Sequence, residues 1–90
     1  MVQKKSILML GRRDPTETMR VAAGLTIFGH TPRVVFLVPV PDTPENAEMA
    51  ELLEFSDVES KTTVADQSLS YIGADALAAA ILAADEVINI

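Results

Sequence analysis

The sequence predicts one α/β domain in which a four-stranded, mainly parallel sheet is flanked by helices on both faces, giving three layers. Strand-like apolar runs alternate with helix-like segments in the order β-α-β-α-β-α-β along the 90 residues. This alternation is typical of parallel sheets, and no hairpin signal joins any two strands. A chain of this length has room for a single core, so residues 1–90 are expected to form one domain.

The first strand and the start of the first helix carry the clearest signals. The continuous apolar run 7–10 suits a strand covered on both faces, and Gly11 permits the turn that follows it. Asp14 is a good helix N-cap, Pro15 fits the first helical position, and Glu17 stands where a capping box requires it. A helix N-terminus is therefore expected at the carboxyl end of a central strand, where open α/β sheets tend to bind ligands.

The first helix, predicted over 15–28, is apolar around much of its circumference. It should therefore pack on two sides, against the sheet and against a neighbouring helix or subunit. Gly29 suits the left-handed backbone that closes many helices. A β-branched apolar run at 33–38 predicts the second strand, which should lie parallel to the first in a right-handed β-α-β unit.

A proline-rich loop precedes the second helix. Three prolines in residues 39–44 make this loop rigid, and Thr43 or Asp42 can cap the helix predicted over 46–55. Four glutamates recur every three residues from position 45 to position 54 and mark the solvated face of that helix. Like charges at this spacing are mildly unfavourable, so packing must hold the helix in place.

The last third of the chain predicts a third strand at 61–65, a loop at 66–73 and a closing strand at 86–90. Between them, residues 74–84 form an alanine-rich segment of strong helical propensity. The spacing of its larger apolar residues predicts that one face of this helix carries Leu77, Ala78, Ile81 and Leu82.

Composition favours association with other chains. Hydrophobic residues make up 49% of the sequence but aromatic residues only 4%, and a small domain leaves much of its apolar surface uncovered. Part of that surface is expected to be buried in a homo-oligomer, although a tightly packed monomer is the alternative. Charge is also uneven: residues 1–33 carry six basic and two acidic residues, whereas residues 34–90 carry one basic and eleven acidic residues. Complementary faces of this kind favour docking between subunits.

The same composition argues against several classes of protein. There is no cysteine, which excludes disulfides, thiolate nucleophiles and cysteine-ligated metals from this chain. A net charge of −6 disfavours binding to nucleic acid, which requires clustered lysine and arginine. No apolar run approaches the ~20 residues that cross a bilayer, and the polar start of the chain does not resemble a signal peptide. A cytoplasmic protein that does not bind membranes is expected.

A ligand site is predicted where the loops meet at the carboxyl edge of the sheet. Arg12 and Arg13 lie beside a helix N-terminus and could bind an anion. However, Asp14 occupies the cap, and no glycine-rich phosphate loop is present. The favoured alternative is that both arginines are solvated or pair with acidic residues of a neighbouring subunit. Asp42 and Asp66 could form an acid/base or metal pair there, although capping and turn roles also explain an aspartate at each position and are favoured. The candidate ligand-binding residues are Gly11, Arg12, Arg13, Asp42, Thr43, Asp66, Gln67 and Ser68.

No catalytic residue, metal ligand or cofactor motif is predicted, so the interpretation leans away from an enzyme. His30 is the only histidine and Tyr71 the only tyrosine. A single histidine cannot form a catalytic constellation by itself, and its position after Gly29 suits a helix C-terminus, where a cation is favoured. Tyr71 is interpreted as a partly buried packing residue.

The order of these features resembles the DsrE/DsrF-like family of small α/β proteins from sulfur relay systems. The resemblance is carried by the strand 7–10, by Asp14-Pro15-Thr16-Glu17 opening a helix that contains Arg20-Val21-Ala22-Ala23-Gly24-Leu25, by Phe28-Gly29-His30, and by the strand 34–37. The closing stretch 83–90 is also similar. The resemblance implies a DsrE-like, flavodoxin-like three-layer fold and assembly into trimers or hexamers.

The chain departs from the family at its reactive centre. Active members carry a persulfide-accepting cysteine in the loop corresponding roughly to residues 39–43 or 66–70, and neither loop contains one here. The resemblance therefore implies a non-catalytic binding or assembly subunit that could dock with a sulfur-carrier protein. The alternative is a ligand-binding protein or enzyme that acts on a small anionic or nucleotide-like molecule at the edge formed by Arg12, Asp42 and Asp66.

Overall fold

The fold is a single five-stranded sheet with three helices, seen in a computed structural model that describes residues 6–64 and 69–90. Every strand pair in it is parallel. The α/β class and the parallel sheet predicted from sequence are thus confirmed. In chain order the elements are β1 (Ile7–Gly11), α1 (Pro15–Ile27), β2 (Arg33–Phe36), α2 (Pro44–Phe55), β3 (Ser60–Thr62), β4 (Ser70–Tyr71), α3 (Ala74–Ala83) and β5 (Glu86–Asn89).

The prediction of four strands was wrong by one. The additional strand, β4, falls at the end of the segment predicted as a loop, and it comprises only two residues. It pairs with β3 in the register Lys61–Ser70 and Thr62–Tyr71. The amide of Ile72 extends the pairing by donating to the carbonyl oxygen of Thr62 at 2.8 Å. A strand this short has no apolar run to reveal it, because tertiary hydrogen bonds rather than local sequence define it.

The sheet has the strand order β4-β3-β2-β1-β5, so β1 lies between β2 and β5. Helix α1 connects β1 to β2 on one side, and α3 carries the chain from β4 across to β5 on the other side of β1. The strand order therefore reverses at β1. In open parallel sheets, the crevice at such a reversal is the usual place for a ligand.

Alternate residues of the strands build two cores on opposite faces of the sheet. Ile7 and Met9 of β1 belong to the larger core, which includes buried residues of α1 and α2, and the two helices also pack against each other. Leu8 and Leu10 belong to the smaller core, to which α3 contributes Ala80. Helices thus cover both faces, as predicted, and the neighbouring helix expected beside α1 is α2.

Helices α1 and α2 end in the same way. In α1, the amide of His30 donates to the carbonyl oxygen of Leu25 while Gly29 has φ +85°. In α2, the amide of Val58 donates to the carbonyl oxygen of Leu53 while Asp57 has φ 61°. Both are Schellman motifs, and the left-handed conformation predicted at Gly29 is confirmed.

The face of α3 that contacts the sheet differs from the prediction. Ala80 is the one buried residue of this helix, and Leu77 packs beside it against the smaller core. Leu82, predicted on the same face as Leu77, is 87% exposed. An alanine-rich helix contains few polar residues to mark its outer side, so its spacing alone could not fix its orientation.

None of the helices in residues 6–64 and 69–90 combines the length and apolar character that a membrane span requires.

Candidate functional site

The joint between β1 and α1 has the predicted Asp14 cap and first-turn proline, whereas the Glu17 carboxylate, predicted to complete a capping box, pairs with Arg20 at 3.1 Å. The Asp14 carboxylate accepts a hydrogen bond from the Glu17 amide at 3.1 Å, and Pro15 occupies the first turn. The amides of Arg12 and Arg13 both donate to the carbonyl oxygen of Ile90, at 3.1 and 2.9 Å. These two amides lie at the crevice where the strand order reverses, and both are already satisfied. The joint therefore offers an anion fewer donors than a phosphate-binding loop provides.

Gly11 ends β1 in a buried position that has no space for a side chain. A β-carbon on this residue would lie 2.8 Å from Cδ1 of Phe36 and 3.1 Å from Oγ1 of Thr18. Gly11 is thus required for packing between the first two strands. Arg12 and Arg13, immediately after it, are exposed.

A polar network joins the proline-rich loop to the first turns of both α1 and α2. Asn46, which is only 4% exposed, is its centre. Its side-chain amide donates to the carbonyl oxygen of Pro41 at 2.8 Å, and its side-chain oxygen accepts from the hydroxyl of Thr16 at 2.7 Å. Its backbone amide donates to the hydroxyl oxygen of Thr43 at 3.1 Å, so Thr43 is the N-cap of α2, as one of the two predicted alternatives held.

A cleft of about 370 Å³ opens beside this network. Most of its lining residues are apolar and come from α1, β2, α2, the proline-rich loop and Leu69, while Asp42, Thr43, Asn46 and Ser60 supply polar groups. The structure thus brings the predicted residues Asp42 and Thr43 into one site. Arg12 and Arg13 do not line the cleft. Sequence reasoning missed Asn46, whose only sequence signal is its place three residues after a threonine cap.

The lining of this cleft contains an acidic residue and no basic one. Asp42 is exposed and belongs to no ion pair within residues 6–64 and 69–90. The polar groups that face the cleft are hydroxyls, an amide and a carboxylate. Such a site suits a small neutral or cationic molecule with an apolar part better than an anion, because among the described lining residues no cation compensates the charge on a bound phosphate.

The remaining predicted residues lie elsewhere. Asp66, Gln67 and Ser68 fall outside the described residues. Tyr71 was expected to be partly buried, but its side chain is 65% exposed at the edge of the sheet. His30 lies at the C-terminal end of α1, where it was predicted, on the opposite end of that helix from the cleft-forming network.

His30 borders a second, shallower groove of about 440 Å³ between the C-terminal ends of α1 and α2. Ile27 and Leu52 contribute apolar side chains to it, and Ser56 and Thr31 contribute hydroxyls. The Nδ1 atom of His30 is buried and has no hydrogen-bond partner within the described part of the chain. Sequence analysis did not identify this groove as a site, since its residues come from two helix ends that are distant in sequence.

Glu59 forms a small ion cluster at the start of β3. Its carboxylate lies 3.0 Å from Nζ of Lys61 and 3.4 Å from Nε of Arg33. The hydrogen bond from Lys61 and the two positive charges lower the pKa of Glu59, and partial burial opposes the shift. All three side chains remain accessible to solvent, so this cluster stabilises strand pairing weakly rather than forming a reactive centre.

In residues 6–64 and 69–90, no group of three histidine, cysteine, aspartate or glutamate side chains is placed to hold a metal ion. Comparisons of the chain with models of protein families, with curated proteins and with solved structures found no match.

Proposed function

We propose that this chain is a non-catalytic, DsrE-like binding or assembly subunit that forms a homo-oligomer, a trimer or a hexamer by the resemblance. The observation that carries the proposal is the outer surface of α3. Nine of its ten residues are not buried, and Asp75 is the only charged residue among them. Leu82 is 87% exposed and Ile81 39% exposed. A helix that is apolar on all sides is normally covered on all sides.

A second copy of the chain is the partner that suits this surface. Copies that each carry a net charge of −6 repel one another, and the repulsion is smallest where the facing surfaces are uncharged. Apart from Asp75, the outer face of α3 provides such a surface. Its alanines allow close approach of two backbones, and Leu82 supplies a large side chain to bury against the partner. Covering this helix would also add the burial that a small domain lacks.

The resemblance adds a sulfur-carrier protein as a further partner. Without cysteine the chain holds no persulfide, so its part in a relay would be to position a partner rather than to carry sulfur. Hydroxyl groups in the proline-rich loop do not replace a thiolate in that chemistry.

Light scattering over a range of protein concentrations tests the assembly. We expect a mass that is a multiple of 9.7 kDa, and we expect Leu82→Ser to raise the concentration at which the oligomer dissociates by about tenfold or more. Phe55→Ser is the matched control, because Phe55 is equally exposed but lies on α2. A monomer at every concentration, or equal effects of the two substitutions, would refute assembly through α3.

A small-ligand-binding protein is the second candidate, and the cleft beside Asn46 favours it. The sequence predicts an anionic or nucleotide-like ligand held by Arg12 together with Asp42 and Asp66. The lining of the cleft does not support such a ligand, because Arg12 is not part of it. Ligand-observed NMR with neutral, cationic and anionic fragments distinguishes the two kinds of ligand. If neutral or cationic fragments bind and lose binding in Asn46→Ala, the ligand site is the cleft. If anionic fragments bind and their binding depends on Arg12, the ligand is anionic and is held at the edge that contains Arg12.

A further inference from the structure

The C-terminal ends of α1 and α2 carry an exposed apolar surface that is separate from α3. Ile27 and Leu52 line the groove between the two helices, and Phe28 and Phe55 flank it in sequence. We call these four residues the end patch. Ile27 is 82% exposed, Phe28 81% and Phe55 90%. The chain contains three phenylalanines, and two of them, Phe28 and Phe55, are largely exposed to solvent here. Exposed apolar clusters of this kind usually mark interaction sites.

The groove inside the end patch also contains an unsatisfied polar atom. His30 follows the left-handed glycine of α1, and Val58 holds the equivalent position after α2. Val58 is buried in the larger core beside Leu53, the usual apolar contact of this motif. His30 is only half-buried at this position, and its buried Nδ1 lacks a hydrogen-bond partner in the described part of the chain. The end of α1 is therefore less fully covered than the end of α2, and His30 lines the groove that remains open between them.

Charge around the end patch identifies the chemistry of its partner. Glu48 and Glu51 lie one helical turn before Leu52 and Phe55, on the same side of α2. Both glutamates are exposed, and neither forms an ion pair within residues 6–64 and 69–90. Helix α2 carries four glutamates and no basic residue. A partner that inserts apolar side chains here would gain further stabilisation from lysine or arginine placed beside them.

We infer that the end patch is a docking site for a partner protein, which presents an amphipathic helix with apolar anchors and flanking basic residues. The inference rests on the proposed function as a binding subunit and names the partner chemistry of a second surface. Two end patches facing each other would bring Glu48 and Glu51 of both copies together, so a basic partner fits this surface better than the same patch of a second copy.

A synthetic peptide of leucine and lysine at amphipathic helical spacing, labelled with dansyl, is the probe. We expect saturable binding to the full chain, and binding at least about tenfold weaker for a peptide in which glutamate replaces every lysine. Phe55→Ser and Ile27→Ser should each weaken binding of the lysine peptide by about tenfold. Leu82→Ser, equally exposed but on α3, should leave it unchanged.

Three results would overturn the inference: no saturable binding of the lysine peptide, equal binding of the lysine and glutamate peptides, or loss of binding in Leu82→Ser but not in Phe55→Ser. Dissociation of the oligomer by Phe55→Ser and not by Leu82→Ser would assign the end patch to a second copy and overturn it as well. The solution mass tests assembly through α3, and the affinity for the lysine peptide tests docking at the end patch. A monomer that binds the peptide would therefore refute only the proposed assembly. An oligomer that does not bind the peptide would refute only the docking site.

Discussion

Gly11 and Phe36 are paired in the register of β1 and β2, and the Phe36 ring occupies the space that a side chain on Gly11 would need. The built β-carbon of Gly11 would lie 2.8 Å from Cδ1 of the ring, closer than van der Waals contact allows. Phe36 is fully buried and also lines the cleft beside Asn46. The glycine that permits the turn after β1 therefore also fixes a wall of the candidate ligand site.

Substitution of Gly11 by alanine should destabilise the protein by about 1–3 kcal/mol, because the buried ring must move to accept the methyl group. Gly24→Ala is the matched control, since nothing lies within 4 Å of its β-carbon position inside α1. That change should stabilise the protein by about 0.5–1 kcal/mol through helix propensity. Urea unfolding at one fixed protein concentration measures both. A loss of stability in Gly24→Ala equal to that in Gly11→Ala would refute the packing argument.

The elements predicted most accurately are those whose signals are local. The run of apolar residues in β1 and the cap and proline at Asp14 and Pro15 act within a few residues of one another, and the structure confirms each of them. The end of α1 at Gly29 is equally local. Sequence patterns describe such features well because the same short stretch both carries the signal and forms the structure.

Features that depend on distant partners were missed. β4 exists through hydrogen bonds to β3. The outer side of α3 has only Asp75 to mark it. In the candidate site, the position of Asp42 and Thr43 at the carboxyl edge could be predicted from the alternation of strands and helices. The role of Asn46 could not, because its side chain bonds to Thr16, thirty residues earlier.

Loss of the Asn46 side chain should cost about 1–3 kcal/mol, because Asn46→Ala leaves the carbonyl of Pro41 and the hydroxyl of Thr16 without their partner. Thr16→Val removes one of these bonds and should cost less. In a double-mutant cycle measured by urea unfolding, the two changes should be coupled by about 0.5 kcal/mol or more. Glu48→Ala, exposed on the same helix, should change stability by less than about 0.5 kcal/mol. Fully additive effects of the first two substitutions would contradict the network.

The two Schellman motifs give opposite predictions for equivalent positions. Asp57 adopts φ 61° with a side chain that disfavours it, so Asp57→Gly should stabilise the protein by about 0.5–1 kcal/mol. Gly29, at φ +85°, is already the residue that this backbone conformation favours. Gly29→Ala should therefore destabilise the protein by about 1 kcal/mol. Thermal and urea unfolding of the two variants check the signs. A destabilised Asp57→Gly would show that the aspartate side chain makes a contribution larger than the backbone strain.

The ion cluster of Glu59 should give stability a small dependence on acid pH. Because its pKa is lowered in the folded chain, Glu59 contributes stability that is fully present above the ordinary glutamate pKa of about 4.3 and is lost as pH falls through the lowered folded value. Glu59→Gln should therefore destabilise by less than about 1 kcal/mol at neutral pH, since all three side chains are exposed to solvent, and high salt should reduce the difference. As pH falls through that range, the difference in stability between wild type and Glu59→Gln should disappear.

Glu54→Gln, on the exposed face of α2, is the control and should show no comparable loss of stability at neutral pH. NMR titration of the Glu59 carboxyl group measures the pKa directly, and a value at or above the ordinary one would contradict the role assigned to Lys61 and Arg33.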